Sequence, residues 1–400
     1  MSARRHVHDN ERRARLARRH GVAPALRLPD VESAVRAMTA LHATETATIH
    51  LSAFARVENL TVADVERALF VDRTLVKQLA MRRTMFVLSR DLLPAVLGSA
   101  SARVAERERR RVAKDVVAGG LADDGEAWLE RACAAVLERL AAEPGDEGLS
   151  AQEIREQVPE VKGSVTMAPG KTWGGDVNVA PWVLTQLGAR GQVVRGVHDG
   201  HWRTARPRWT LMSHWLGEQP EPWSPVDGYA ELVRRWLWTF GPGTTDDLQW
   251  WLGSTKSAVT QALHHLGAVE VTLDGGRSGW LLPDDLDRVP DVEPWAALLP
   301  VLDPTTMGWK DRGFYLHPAH VPHLFDGNGN AGTTAWWEGR VVGCWVQDSG
   351  GVVRVVLRED VGAQGRTALD AEAERLTRWL DGTRIRSVYS SRQMRLMTRP

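Results

Sequence analysis

One stretch of the chain decides the fold. Residues 229–283 read YAELVRRWLWTF (229–240), TTDDLQWWLG (244–253), STKSAVTQALHHLG (254–267) and AVEVTLDGGRSGWLLP (268–283). The first three pieces have the apolar spacing of amphipathic helices, and Thr244 or Thr245 and then Ser254 are suitable N-caps. The fourth piece alternates as a β-hairpin that turns at Asp274–Gly276. Three helices followed by a hairpin are the order of a winged helix-turn-helix.

The same order recurs earlier in the chain. A helix predicted over 126–141 precedes a helix that starts at Ser150. Residues 192–212 then alternate as a hairpin with Asp199–Gly200 at its turn. We therefore predict a second winged unit over 126–222, followed by the third over 223–290.

The first unit, 1–125, is predicted from helices over 11–19, 30–43 and 60–69, with Asp30 as the cap of the second helix. Residues 74–93 are expected to form a helix, a tight turn at Arg82–Arg83, a strand and a further helix. Helices followed by a short strand pattern again indicate a winged unit.

From about residue 294 the pattern changes to short strands and turns. Residues 333–348 (TTAWWEGRVVGCWVQD) form two alternating runs about Glu338–Gly339, and 351–360 are a further strand. A helix over 370–381 and a strand-like segment over 385–393 (IRSVYSSRQ) follow. The range 291–400 is thus predicted as a β-rich domain, and the fold class as α+β, mainly α, with three tandem winged units.

Charge is balanced in total but not along the chain. Lys+Arg and Asp+Glu both number 50, so net charge does not indicate a nucleic-acid partner. Residues 1–20, 103–114 and the tail after Asp381 are nevertheless basic, while 143–160 and 284–293 are acidic. One face of the protein can therefore be basic, although each single run is also typical of a solvated helix face.

Composition excludes several classes of protein. Cys133 and Cys344 are the only cysteines, which excludes a disulfide framework and a cysteine-based metal cluster. No apolar stretch approaches the ~18 residues that span a membrane, and the N-terminus lacks the apolar core of a signal peptide. A cytoplasmic protein of two to four domains is expected.

Polar residues gather in MTALHATETATIHLSAFAR, residues 38–56. His42 and Glu45 lie on the apolar face of the predicted helix, and Thr44 joins them if the helix ends there. A histidine exchanges its proton near neutral pH, and a neighbouring carboxylate can orient it or hold a cation. We therefore expect this segment to respond as pH crosses about 6.5. The alternative is a satisfied, half-buried histidine beside a capping cluster.

Two other stretches are unusual. In LLPVLDPTTMGWKDRG (298–313), Asp303 precedes Lys310 and Arg312, which suggests a basic loop that contacts phosphates beside an acid; the alternative is a surface turn. The close spacing of His317, His320 and His323 suggests a zinc site, but the prolines between them prevent a regular helical or strand face.

Three segments together resemble the winged-helix DNA glycosylases of the AlkZ/YcaQ family: ALHATETATIHLSAFAR (40–56), LVKQLAMRRTMFVLSRD (75–91) and LLPVLDPTTMGWKDR (298–312). The resemblance implies three tandem winged helices and a β-rich domain around a positively charged channel for double-stranded DNA. It also implies a monomer without metal or organic cofactor, working at the bacterial nucleoid. Members of the family excise alkylated or bulky purine adducts such as N7-alkylguanine, and some unhook interstrand crosslinks.

The resemblance also implies the site residues. The family motif is Gln–apolar–Gln or Gln–x–Asp, and its positions fall on His42 and Thr44, so both depart from the family. With Glu45 beside them these are the expected catalytic residues. The expected DNA-binding residues are Arg82, Arg83, Asp303, Lys310 and Arg312. The alternatives are a non-catalytic winged-helix DNA-binding protein, either a lesion binder or a transcriptional regulator, and, with little support, a small-molecule hydrolase that uses His317–His323.

Overall fold

The structure is a computed structural model that describes residues 4–168, 170, 174–204 and 206–397. Within these ranges, helices occur along the entire length of the chain, and the strands form several small sheets. The largest is an antiparallel sheet of four strands near the C-terminus. The predicted α+β class is confirmed.

The elements of residues 4–118 are β1 (His6–Val7), α1 (Asp9–Arg19), α2 (Val31–Ala37), β2 (Leu41–His42), α3 (Thr46–Phe54), α4 (Val62–Glu66), β3 (Leu75–Leu79), β4 (Met85–Ser89), α5 (Leu93–Val96) and α6 (Ala102–Ala118). Strands β2, β4 and β3 form an antiparallel sheet in that order. One π-helical turn extends α4 and another joins α5 to α6.

The helix predicted over 30–43 is shorter than expected. Asp30 caps it as predicted, because its carboxylate accepts the backbone N–H of Ser33 at 2.7 Å, but α2 ends at Ala37. Thr39 has a φ of 63°, a left-handed conformation through which an α-helix does not continue. The chain then extends into β2, so the prediction that His42 lies on a helical face is wrong.

Residues 75–79 form a strand and not the predicted helix. Strand β3 pairs with β4, with Leu75 opposite Ser89. Leu75 and Val76 are both buried, so the strand lacks the simple alternation that identifies a strand with one buried face. The predicted turn at Arg82–Arg83 is present, and both residues have left-handed φ values, 55° and 59°.

The next elements are α7 (Gly125–Ala141), β5 (Leu149–Ser150), α8 (Ala151–Gln157), β6 (Ser164–Met167), β7 (Gly175–Asn178), α9 (Ala180–Ala189), β8 (Val193–His198), β9 (Pro207–Leu211) and α10 (Met212–Leu216). Ser150 caps α8 as predicted, and Glu153 completes a capping box with it. Strands β8 and β9 form the predicted hairpin, and β6 and β7 form a hairpin that the sequence analysis did not identify.

Residues 225–281 contain α11 (Pro225–Phe240), α12 (Thr245–Leu252), α13 (Lys256–His265), β10 (Val269–Leu273) and β11 (Arg277–Leu281). This is the predicted order of three helices and a hairpin. Thr244 caps α12, while α13 is capped by Thr255 and not by the predicted Ser254. Strand β1 joins this hairpin from the other end of the chain, parallel to β10.

The C-terminal elements are β12 (Ala296–Leu299), α14 (Pro304–Met307), α15 (Val321–Leu324), β13 (Thr334–Trp337), β14 (Arg340–Gln347), β15 (Val353–Leu357), α16 (Gly362–Leu380) and α17 (Arg392–Met397). Strands β12 to β15 lie in sequence order in the four-stranded sheet. Helix α16 begins earlier than predicted.

The strand-like segment over 385–393 is not a strand. Several of its backbone N–H groups donate to side chains and not to a neighbouring strand. Ile385 donates to Gln347 Oε1 at 2.8 Å, and Val388 donates to Glu45 Oε1 at 2.8 Å. Residues 385–391 therefore cross the surface as an irregular chain, and the last two residues of the segment already belong to α17.

Two large hydrophobic cores hold most of these elements together, and a smaller one packs β1 against β10 and β11. One runs from Leu16 to Leu380 and includes side chains of the first unit, of α11–α13 and of the C-terminal sheet. A separate core extends from Val112 to Trp209 around α7 and α9. The domain boundaries at 125, 222 and 290 stay predictions. In the described ranges, every helix is too short or too polar to cross a membrane.

Candidate functional site

The segment 41–45 links a strand to a helix beside the first sheet. His42 lies opposite Phe86 on β4, and the Ala43 backbone N–H donates to the Met85 carbonyl at 2.9 Å, which extends the pairing by one residue. Helix α3 begins at Thr46, with Glu45 as its N-cap residue. Two secondary structure elements thus fix the backbone on either side of Thr44.

His42 is buried without any polar partner in the described structure. Only 3% of it is exposed, and its ring lies 4.6 Å from the Phe86 ring, measured between centroids. Neither Nδ1 nor Nε2 has a hydrogen-bond partner. Burial, and secondarily the charge of Arg82, lower the pKa of His42 to about 3. The imidazole is therefore neutral, and the expected response near pH 6.5 is wrong for this group.

Acid is predicted to destabilise the protein through His42 and His50. Burial lowers the pKa of both to about 3, whereas in the unfolded chain it is about 6.5. The unfolded chain binds more protons between these values, so this stability is present above about pH 6.5 and is lost as pH falls toward 3. The free energy of unfolding, measured by urea titration, should decrease from pH 7 to 5 by on the order of 2 kcal/mol for each histidine.

The control for this pH dependence is the double variant His42→Gln/His50→Gln, which cannot titrate at these positions. Its stability should fall less than that of the wild type over the same interval. An equal fall in both proteins would contradict the prediction. It would mean that protonation of these two histidines does not cause the loss of stability.

Thr44 and Glu45 have different surroundings from His42. Thr44 is exposed. The half-buried carboxylate of Glu45 accepts hydrogen bonds from Ser387 Oγ and the Val388 backbone N–H, both at 2.8 Å. Burial raises the pKa of Glu45, while these bonds oppose the shift. The three expected catalytic residues thus all lie in segment 42–45, but Glu45 is engaged with the C-terminal segment.

Arg82 and Arg312 converge on Trp250. Their guanidinium carbons lie 4.2 Å and 5.4 Å from the centre of its rings. Neither arginine forms an ion pair with a described residue, and the Nε atom of each is buried without a partner. Burial, and secondarily the charge of Arg312, lower the pKa of Arg82 to about 10, so it remains a cation. The structure therefore brings together two of the expected DNA-binding residues.

Arg83 and Lys310 are exposed, but acids partly neutralise them. The Arg83 guanidinium pairs with Glu108 at 2.6 and 3.1 Å. Lys310 Nζ lies 3.5 Å from Asp246. An anion that approaches either residue must compete with a carboxylate.

Asp303 does not reach the surface, which corrects its prediction as a DNA contact. Its side chain is fully buried, and its two oxygens accept hydrogen bonds from Arg56 at 2.8 and 2.7 Å. Ser52 Oγ and the Thr305 backbone N–H complete the set. Asp303 caps α14 and joins it to α3, so its role is structural.

Trp250 was not identified from the sequence, although a signal exists. The residues QWWL place two tryptophans next to each other on α12, and adjacent positions on a helix point about 100° apart. Trp251 is buried in the core, so Trp250 must lie toward another surface. That surface carries Arg82 and Arg312.

The histidines at 317–323 do not form a metal site in the described structure. His317 Nδ1 accepts the Ala319 backbone N–H, and His320 Nε2 lies 3.9 Å from Glu359. Ligand-type side chains instead converge at His6, His8 and Asp274, where the two histidines are near neighbours in the sequence and Asp274 is far from both. Both histidines contact the same Asp274 oxygen, at 2.8 and 3.0 Å, and these contacts join β1 to the turn between β10 and β11.

Comparisons with known proteins identify the family. A family model described as DNA glycosylase AlkZ-like matches residues 35–379. Among solved structures, the chain is similar to the Streptomyces sahachiroi DNA glycosylase AlkZ, with a TM-score of 0.73 and 18% sequence identity, over 95% of this chain and 98% of that one. No curated protein matches the chain. The solved structure shows a shared fold, and the family model covers most of the sequence. The chain therefore belongs to the AlkZ-like DNA glycosylase family.

Proposed function

We propose that the protein is a monomeric DNA glycosylase that hydrolyses the N-glycosidic bond of alkylated or bulky-adduct purines in duplex DNA. Family membership supports the reaction class. The observation that carries the proposal for this chain is the buried, unpartnered imidazole of His42 beside the unpaired charge of Arg82. Buried polar atoms are normally hydrogen-bonded, so a site that leaves them free is suited to a ligand or a water.

The reaction requires a placed water more than a strong acid. An N7-alkylated purine carries a positive charge and leaves readily, while the sugar develops oxocarbenium character. Neutral His42 offers one ring nitrogen as donor and the other as acceptor, so it can hold a water against the anomeric carbon. With a pKa of about 3 it is a weak base, and it takes the proton only as the attacking water becomes acidic.

Thr44 is the second group proposed to hold the water. Thr44 is exposed, two residues after His42 in the sequence, and its hydroxyl can both donate and accept a hydrogen bond. His42 and Thr44 would thus serve the water as the two polar side chains of the family motif do. The neutral imidazole adds no positive charge where the oxocarbenium centre forms.

The test of this function is direct. Duplex DNA containing a single N7-methylguanine is incubated with the protein, and abasic sites are converted to strand breaks and counted. Breaks above the spontaneous rate, absent with heat-inactivated protein, are expected. A crosslinked duplex in the same assay tests unhooking. Tight binding to one selected DNA sequence without base release from either substrate would instead support a regulator.

DNA binding is predicted to depend steeply on salt, with Arg82 and Arg312 contributing more than Arg83. Among the described residues no acid pairs with the first two, whereas Arg83 is paired with Glu108. Each neutralised phosphate adds about −0.9 to the slope of log K against log salt. Arg312→Ala should therefore reduce the slope by about 1, and Arg83→Ala by less. Fluorescence anisotropy from 50 to 200 mM salt measures both.

Lys310→Ala should weaken binding to all sequences alike, because phosphate contacts carry no base information. A wild-type affinity that hardly changes over this salt range would contradict a channel lined by phosphate contacts.

A further inference from the structure

Residues 383–391, here called the C-terminal strap, are held on the surface by two side chains. Gln347 binds one end, donating from Nε2 to the Thr383 carbonyl at 3.0 Å and accepting from the Ile385 N–H at 2.8 Å. Glu45 binds the middle through Ser387 and Val388. Since Glu45 directly follows Thr44, the strap is fastened to the proposed catalytic segment.

The strap carries positive charge that the protein leaves unpaired. Arg384 and Arg386 are exposed, and neither forms an ion pair with a described residue. Arg203, from the loop between β8 and β9, donates to the Arg384 carbonyl at 2.5 Å and is also without an acid partner in the described chain. Three arginines from two parts of the chain thus gather at one place.

The basic run at 103–114 provides the contrast. Arg109 pairs with Glu106 and Glu126, and Arg110 pairs with Glu106. That run is a solvated helix face with its own counter-charges. On the strap, neither Arg384 nor Arg386 is paired with a described acid, and no acidic residue follows Asp381 in the sequence. Glu45 binds the strap through Ser387 and Val388 and not through its arginines.

An exposed apolar side chain marks the point where the strap is fastened. Val388 is 85% exposed although its own N–H is bound by Glu45. The hydrogen bond to Glu45 fixes the Val388 backbone, but no described residue covers its apolar side chain, which stays in water next to a group of arginines. Both features are accounted for if a polyanion with apolar sugar edges covers the strap.

We propose that the C-terminal strap is a second DNA-backbone contact beside the lesion, and that Glu45 is a positioning residue that fixes it to the catalytic segment. The inference rests on the proposed function insofar as the partner is duplex DNA. The charge of Arg82 acts on His42 at one end of segment 42–45, and Glu45 binds the strap at the other end. The phosphates on both sides of a nucleotide at Thr44 would then each meet unpaired arginines, which fixes its sugar relative to the water.

The strap is tested by the salt dependence of binding to an undamaged duplex. Arg384→Ala/Arg386→Ala should reduce the slope of log K against log salt by about 1.8, which corresponds to two lost phosphate contacts. The matched control Arg109→Ala/Arg110→Ala removes the same charge from paired positions and should reduce it far less. A strap variant with the wild-type slope, or a control variant with an equal reduction, overturns the proposal.

This measurement is independent of catalysis. If the wild type releases no base but the strap variant loses slope, the proposed function fails and the strap contact stands. If bases are released and the slope is unchanged, the strap contact fails and the proposed function stands.

Two substitutions at Glu45 separate positioning from catalysis. Glu45→Ala should lower the single-turnover rate about tenfold, as loss of a positioning contact does, and should speed tryptic cleavage after Arg384 and Arg386. Glu45→Gln keeps a carbonyl oxygen that accepts from Ser387 and Val388, so it should restore both properties. If Glu45→Gln is as inactive as Glu45→Ala while the strap stays resistant to trypsin, Glu45 acts on the reaction itself and the positioning role is wrong.

Discussion

His42→Ala is expected to abolish release of alkylated bases while leaving DNA affinity within about twofold of the wild type, since affinity comes from phosphate contacts. The substitution removes an imidazole whose two ring nitrogens have no hydrogen-bond partner in the described structure. Groups that hold or deprotonate a reacting water typically contribute about 10²- to 10⁴-fold to the rate. Single-turnover release from an N7-methylguanine duplex measures the loss.

His50→Ala is the matched control for this experiment. His50 is as buried as His42, its pKa is also lowered to about 3 by burial, and its Nε2 has no partner in the described structure. It lies on α3 with its ring near Trp202 and not beside Phe86. Its loss should reduce stability similarly but preserve base release by the folded protein. Equal loss of release in both variants would mean that burial, and not water placement, explains the effect.

Further substitutions at the motif positions refine the test. Thr44→Ala should slow release by about 10- to 100-fold, as the loss of one positioning hydrogen bond does. His42→Gln restores the residue type of the family and should retain activity, because an amide also offers a donor and an acceptor. If the wild type is inactive, His42→Gln/Thr44→Gln should be assayed for gained activity. Wild-type rates in both alanine variants would make the site structural.

Asp303→Ala is expected to destabilise the protein by about 3 to 5 kcal/mol and to lower the amount of folded protein obtained. Both Asp303 and Arg56 are fully buried, and the substitution leaves the Arg56 charge without its carboxylate. Removing one member of a buried ion pair costs far more than removing a surface pair, because the remaining charge is not solvated. The urea midpoint, with the slope of unfolding held constant, measures the change.

Asp311→Ala is the control, since Asp311 is exposed and pairs with Arg277 at the surface. Its loss should change stability by no more than about 1 kcal/mol. A stable Asp303→Ala protein with a reduced salt slope for DNA binding would contradict the structural role and restore the DNA contact expected from the sequence.

Local signals predicted much of the fold. Thr244 was one of two caps expected for α12, and a helix was expected to start at Ser150. Both residues are N-caps in the structure, where a hydroxyl followed three residues later by an acid forms a capping box. The turns at Arg82–Arg83 and Asp274–Gly276 were also found. These features depend on neighbours in the sequence, so tertiary structure did not alter them.

Errors arose where tertiary contacts decide the structure. Residues 75–79 and His42 form strands because β4 lies beside them, and 385–393 stay irregular because Glu45 and Gln347 bind their N–H groups. Asp303 looked like a surface acid because its partner, Arg56, is 247 residues away in the sequence. The sequence was enough to select the candidate residues, but the structure was needed to show which of them are buried and which groups they contact.

The parallel pair of β1 and β10 has a consequence for synthesis of the protein. His6 bonds to Thr272 across 266 residues of sequence. At a translation rate of about 5 to 20 residues per second, β1 waits roughly 15 to 50 seconds after leaving the ribosome before its partner exists. Helix α1 waits equally long, because Arg15 pairs with Asp285. The nascent chain must therefore keep β1 and α1 unaggregated until the residues around Thr272 and Asp285 have been synthesised.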